Sequence, residues 1–245
     1  SGDWEDDNPT VIFNAKGEKL PDAQVNSSEV NWTILKEENA RSVNGVGLVD
    51  MTGGFSGCTG TLLETGAALD TKALVLSNGH CIGGNLMNPR EVVINRRVNM
   101  RFILNYFIDA PTKRAVRIER VLYATMFGTD IAIFELGETI GQLKKEGFMP
   151  RKISRVDPAV SLPVVLVGVP QTGVFRGNRF LRASRCKING RAEELREGGY
   201  FFFNAFRHCC IMVGGSSGSP MLSAKTGNIV AINNTTVNDD ALNMS

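Results

Sequence analysis

Short runs rich in Val, Ile, Leu and Phe recur along the chain with turn residues between them, at 43–49, 58–63, 73–77, 91–94, 99–107, 116–124 and 131–136. A second group follows at 162–167, 180–188, 200–206, 220–223 and 228–233. Runs this short, bounded by Gly, Pro, Asn and Asp, predict strands, and their division into two groups predicts an all-β chain built as two antiparallel barrels. Residues 137–160 between the groups carry Gly137, Pro150 and Pro158 with mixed charge and read as a connector. Residues 1–41 open with Asp3, Glu5, Asp6 and Asp7 around Trp4 and hold few strand signals. They are expected to form a flexible or surface-wrapping extension, with a cleft-occluding pro-segment as the sharper alternative. The expected division is therefore 1–41, a first barrel at 42–136, the connector 137–160, and a second barrel at 161–245.

Composition narrows the partners. The 245 residues are 42% hydrophobic, enough for a substantial core. Lys plus Arg number 27 against 25 Asp plus Glu, a net charge of +2 that gives no support for nucleic acid or a membrane surface as a partner. No apolar stretch reaches the ~20 residues needed to span a bilayer. No signal peptide is visible at Ser1, and the chain reads as already processed.

Three loops at strand edges carry the candidate chemistry. Ser77-Asn78-Gly79-His80-Cys81 follows the apolar run that ends at Leu76, and Gly128-Thr129-Asp130 opens the run Ile131 to Phe134. Gly215-Ser216-Ser217-Gly218-Ser219-Pro220 flanks a serine with glycines, so that backbone amides can turn inward to meet an anion. A serine hydroxyl is a poor nucleophile at neutral pH unless a base lies within hydrogen-bond reach, and an acid must hold that base in the right tautomer. Any one of these loops could be an ordinary turn; the three together, in the order His80, Asp130, Ser217, are a nucleophile's equipment.

That order and those settings resemble the chymotrypsin-like serine proteases, over roughly 43–234. Cys58-Thr59-Gly60-Thr61 precedes His80-Cys81 as the family's cysteine strand precedes its histidine loop, and Asp130-Ile131-Ala132 stands where the family has its buried acid. Ser219 in place of the glycine, and Ser216 in place of the aspartate, of the animal digestive enzymes is similar to the bacterial branch that contains the glutamyl endopeptidases. The resemblance implies two six-stranded antiparallel β-barrels of the chymotrypsin type with the active site in the cleft between them. It implies a secreted or periplasmic serine endopeptidase acting on protein or peptide substrates through an acyl-enzyme, with no cofactor and no metal. His80 would be the base, Asp130 its orienting acid and Ser217 the nucleophile, with the amides of Gly215 and Ser217 as the oxyanion hole. With Ser216 in place of the aspartate, activation by a salt bridge to a freed N-terminus is not expected.

The resemblance also implies a Cys58–Cys81 disulfide, which would contribute about 3 kcal/mol and hold the histidine loop. It implies a second bridge from Cys186 to either Cys209 or Cys210. Five cysteines leave one over, buried and inert or bonded to a segment or chain not present here. His208, Cys209 and Cys210 are adjacent ligand types, but adjacent strand residues point to opposite faces, so no zinc site is expected there.

For the substrate pocket the resemblance points to Met212, Asn233 and Asn234. Glutamate-selective members carry a small hydroxyl residue and a histidine where Met212 and Asn233 stand, so a small or apolar residue on the acyl side is expected instead. Beyond Asn234 little of the family's closing segment remains; either the lineage ends differently or the second barrel is shortened. That departure motivates the alternative of a latent or inactive protease-fold protein serving as a binding or scaffold module. A serine esterase of the α/β-hydrolase type would order its triad Ser, acid, His and alternate strands with helices, a pattern absent from this sequence.

Overall fold

The computed structural model describes residues 11–13, 31–51, 57–83, 87–172, 174, 176–211 and 213–235. Six strands, β3 (Val46–Met51), β4 (Gly57–Leu62), β5 (Lys72–Ser77), β6 (Val92–Leu104), β7 (Arg114–Thr125) and β8 (Ile131–Thr139), close into an antiparallel barrel in the order β3-β4-β5-β8-β7-β6. Period-2 alternation drives the closure. Phe102, Leu104, Ile118, Val121, Phe134 and Leu136 alternate inward and are completely buried. The runs at 91–94 and 99–107, separated in the sequence by the polar stretch Asn95-Arg96-Arg97-Val98, are one strand in the structure. Asn95 takes a positive φ of 55° and the β6–β7 register shifts between Arg97 and Met100, so the polar stretch is a bulged part of β6 instead of a turn.

Among the described residues the second half is a seven-stranded antiparallel sheet that, unlike the first, is not closed into a barrel. Its path runs β1 (Val11–Phe13), β10 (Arg182–Glu197), β9 (Pro163–Gly168), β12 (Pro220–Ser223), β13 (Ile229–Ile232), with β2 (Asn31–Ile34) and β11 (Tyr200–His208) also paired to β10. The physical reason is the 16-residue length of β10. Its first part pairs with β2 on one edge and β9 on the other; its second part pairs with β11 and β1. Two short segments of the N-terminal region thus join the second sheet as strands.

The β10–β11 hairpin turns at Gly198-Gly199, with φ of 52° and 87°, the left-handed pair that a two-residue hairpin needs. Its apolar residues Ala192, Leu195 and Phe202 pack into the core of the first barrel. Conversely, Val46, Leu48 and Leu76 of the first barrel share a cluster with Val167, Leu181, Leu222 and Ile229 of the second half. The connector contains a short helix, α1 (Ile140–Lys145), started by a capping box between Thr139 and Gln142 and anchored by buried Ile140 and Leu143. Cys58–Cys81 and Cys186–Cys210 are the disulfides, which leaves Cys209 unpaired among the described residues.

Candidate active site

Strand pairing brings His80 to Asp130. β5 lies beside β8 with Ser77 opposite Ala132, so the loop that leaves β5 and the loop that enters β8 meet at one rim of the barrel. His80 sits in the single helical turn Gly79–Cys81, and a Cβ on Gly79 would fall 2.2 Å from the Thr125 carbonyl oxygen, so only glycine lets the turn lie this close. Asn78 Nδ2 donates to the Asp130 carbonyl at 2.8 Å, and the His80 N–H donates to Asp130 Oδ1 at 3.1 Å. His80 Nδ1 lies 2.5 Å from Asp130 Oδ2, with the Asp130 side chain almost wholly buried. An ionised carboxylate only accepts, so the ring carries its proton on Nδ1 and presents Nε2 as an acceptor. Burial alone would pull the His80 pKa down; the hydrogen bond and charge of Asp130, with the more distant charge of Glu197, outweigh it and raise the value above the usual 6.5.

The serine loop is tied from three directions. Gly215 and Gly218 take φ of 94° and 78°, and a Cβ on Gly218 would collide with Ser77 Oγ at 2.2 Å and the Thr59 carbonyl at 2.3 Å. From the first barrel, the Thr59 N–H donates to the Ser217 carbonyl at 2.8 Å and Thr59 Oγ1 donates to the Gly215 carbonyl at 2.9 Å. From the loop after β9, the N–H groups of Gln171 and Thr172 both donate to the Gly214 carbonyl, at 2.7 and 3.0 Å. From the end of β13, the Gly218 N–H donates to the Asn233 carbonyl at 2.8 Å, and Asn233 Nδ2 donates to the Ser216 carbonyl at 3.2 Å. Ser217 itself is partly exposed while Gly215, Ser216 and Gly218 are buried. Thr59 follows Cys58, whose disulfide reaches Cys81 next to His80, so adjacent residues of β4 secure the histidine loop and the serine loop.

A cavity of about 250 Å³ opens beside this loop, with Asp130, Phe202, Phe206, His208, Met221 and Asn233 among its lining residues. Asn233 and Asn234 both border this cavity. Met212 lies outside the described residues. His208 is the residue that sequence reasoning missed. It reaches Asn233 from β11, Nε2 to Oδ1 at 3.2 Å, and its Nδ1 accepts from the Cys210 N–H at 3.2 Å. Desolvation pushes its pKa down to about 4, against a smaller opposing effect of the Asn233 hydrogen bond, so the imidazole is neutral at pH 7. The available signal was the alternation that puts Phe202, Phe206 and His208 on one face of a strand. Ligand atoms of Cys186, His208 and Cys210 lie within 4.8 Å of one another, as do those of Cys58, His80 and Cys81. In both groups the sulfurs are joined in a disulfide and offer no thiolate.

A family model described as the trypsin-like peptidase domain matches residues 58–232. The chain belongs to the trypsin-like peptidase family. Solved structures with the same fold include the protease Anisep from Arthrobacter nicotinovorans, at 18% identity over 80% of this chain and 85% of that one, with a TM-score of 0.53. A Glu endopeptidase in complex with MPD aligns at 17% identity over 83% of this chain and 84% of that one, TM-score 0.51. The MamO protease domain from Magnetospirillum magneticum aligns at 14% identity over 82% and 89%, TM-score 0.56. No curated protein sequence matches the chain. Within this trypsin-like peptidase no described helix is long and apolar enough to cross a membrane.

Proposed function

We propose that this trypsin-like peptidase is a secreted serine endopeptidase that cleaves peptide bonds through Ser217, His80 and Asp130. The observation that carries the reading is the 2.5 Å contact between His80 Nδ1 and Asp130 Oδ2, which leaves Nε2 free to take a proton. In the first half-reaction Ser217 Oγ bonds to the scissile carbonyl carbon and its proton passes to His80 Nε2. The resulting oxyanion is received by the N–H groups of Gly215 and Ser217. Collapse of the tetrahedral species breaks the C–N bond, and His80 returns the proton to the leaving amine. Water then repeats the sequence against the acyl-serine, releasing the acid and restoring Ser217.

The pinned carbonyls support the oxyanion assignment. A trans peptide points its N–H opposite its C=O. Two donors hold the Gly214 carbonyl toward the 171–172 loop, so the Gly215 N–H faces away from that loop. The pocket supports an uncharged preference on the acyl side: Phe202, Phe206 and Met221 are among its walls, and its histidine is neutral. Two disulfides support an oxidising compartment.

The test is intact-mass analysis after a fluorophosphonate probe, with Ser217→Ala alongside, followed by digestion of a peptide library. One adduct on the parent, none on the variant, and cleavage after apolar or small residues is the expected result. An unreactive, folded parent would overturn the enzymatic reading, and cleavage dominated by Glu, Lys or Arg would overturn the specificity.

A further inference from the structure

The two amides assigned to the oxyanion are oriented by different means. The Gly215 amide is set by backbone donors alone, whereas the Ser217 amide belongs to a peptide whose carbonyl, that of Ser216, is held by the Ser219 N–H at 3.0 Å and by the side chain of Asn233 at 3.2 Å. Behind Asn233 stands His208, and behind His208 the Cys210 amide. We propose that His208 and Asn233 are positioning residues that aim the Ser217 N–H at the oxyanion, through a directed hydrogen-bond chain from Cys210 to Ser216. This rests on the reading of Ser217 as the nucleophile.

Each member of the chain has one allowed polarity. Nδ1 of His208 faces an N–H and must be unprotonated, so the ring proton sits on Nε2 and is donated to Asn233 Oδ1. That leaves Nδ2 of Asn233 to donate to the Ser216 carbonyl; the reversed amide would oppose donor to donor at His208 and acceptor to acceptor at Ser216. The neutral imidazole is therefore the form that fits both neighbours. The far end of the chain is fixed to β10: Cys210 is bonded to Cys186, its Sγ contacts the Ser184 carbonyl at 3.5 Å, and the Ile211 N–H donates to Ser184 Oγ at 2.9 Å. At the near end, holding the Ser216 carbonyl on the Asn233 side turns the N–H of the same peptide to the opposite side. Because Asn233 is also tied through its backbone to Gly218 and Ser219, its side chain has little freedom to release Ser216 while the imidazole stays in place.

Reaction with an alkyl fluorophosphonate reports this alignment. Ser217 Oγ bonds to phosphorus, fluoride leaves, the serine proton passes to His80, and the phosphonyl oxygen occupies the oxyanion position. The inactivation rate constant and the half-saturating probe concentration would be measured by intact mass for the parent, His208→Leu, His208→Gln, Asn233→Ala and the His208→Leu/Asn233→Ala double variant, with thermal melts for each. A disoriented oxyanion donor should lower the inactivation rate ~10- to 100-fold in His208→Leu and in Asn233→Ala, with the half-saturating concentration unmoved. Glutamine can donate to Asn233 from the Nε2 end, so His208→Gln should recover much of the rate. The double variant should be no slower than Asn233→Ala alone, as expected for residues acting in series.

Folded variants that react at the parent's rate would overturn the proposal. So would a loss expressed in the half-saturating concentration, which would mark His208 as a pocket wall only, or a His208→Gln variant no faster than His208→Leu. Should the leucine variant fail to fold, Asn233→Ala against His208→Gln carries the same decision. A folded parent that takes no probe would overturn this proposal together with the reading it rests on, whereas a reactive parent with unmoved variants overturns this proposal alone.

Discussion

His80 and Asp130 stand at the rim of a barrel closed on completely buried Phe102, Ile118, Phe134 and Leu136, while Ser217 stands in a loop beside a sheet that branches at β10. Where the strands close, the core sets the geometry: the β5–β8 pairing delivers the histidine loop to the aspartate, and the Asn78 side chain and the Cys58–Cys81 disulfide secure it there. Where they do not, discrete polar anchors do the same work, and Thr59, Gln171, Thr172 and Asn233 each hold a named carbonyl of the serine loop. A hydrophobic core tolerates many substitutions that keep volume, whereas a hydrogen-bond anchor is lost with one atom. Volume-conserving substitutions in the barrel core should therefore leave activity in place, whereas the serine loop should lose it when one of its polar supports, Thr59 of the first barrel included, is removed.

The largest expected effect tests the first half. Asp130→Asn leaves the barrel intact but offers an amide to Nδ1, favouring the wrong ring tautomer; kcat should fall on the order of 10⁴-fold with little change in melting temperature. A variant retaining more than about a tenth of the parent rate would mean that Asp130 does not orient His80.

Next come the disulfides, one serving each loop. Replacing Cys58 and Cys81 by serine, or Cys186 and Cys210, should each cost about 3 kcal/mol in urea unfolding. The contrast should appear at permissive temperature, where the Cys186/Cys210 variant is slower toward substrate because it frees the segment behind His208. Equal activity in the two folded variants would erase the distinction.

Thr59→Val removes one hydroxyl that donates to the Gly215 carbonyl and accepts from the Val169 N–H at 2.9 Å, leaving both buried groups without that partner. A loss of about 1–3 kcal/mol is expected. It should be accompanied by slower acylation, measured by stopped-flow burst kinetics. A stability loss with an unchanged burst would confine Thr59 to a structural part.

The smallest effect sets the two histidines against each other. His80 has its folded pKa raised, so its contribution to stability is present below pH 6.5 and is lost as pH rises through the folded value; activity should climb over that same rise, with an acid limb above 6.5. His208 has its folded pKa lowered to about 4, so between 6.5 and 4 the unfolded chain takes up a proton that the folded chain refuses. Stability should fall by on the order of 2 kcal/mol as pH drops through that window, and His208→Gln should flatten that part of the curve. Parallel curves for parent and variant would contradict the desolvated environment.

Much of this was legible in the sequence, for identifiable reasons. Alternating apolar runs such as 131–136 and 200–206 marked their strands because half-buried sheets impose a period of two. The candidate residues His80, Asp130 and Ser217 were legible because each stands beside a strand end with glycine next to it or nearby. The C-terminal part of β10 was not, since Asn189-Gly190-Arg191 and the charges that follow read as loop, and only pairing with β11 and β1 makes them strand. Nor was the pairing of β1 and β2, which depends on a partner more than a hundred residues away. His208 was obscured by its neighbours: next to Cys209 and Cys210 it suggested a ligand set, and its actual partner, Asn233, lies just past the end of β13.

The β10–β11 hairpin spans the division between the halves. Tyr200 Oη donates to the Met87 carbonyl on the histidine side at 2.5 Å, Glu197 Oε1 accepts from Thr235 Oγ1 on the other at 2.5 Å, and Leu195 and Phe202 are seated in the first barrel's core. A fragment cut beyond β8 and the helix that follows it, expressed as 42–150, would carry an uncovered apolar socket where those side chains belong. The complementary fragment would display a greasy, unsupported tongue. Mixed in solution, the two pieces have a ready-made plug and receptacle, so a split version of this chain is expected to reassemble through the hairpin.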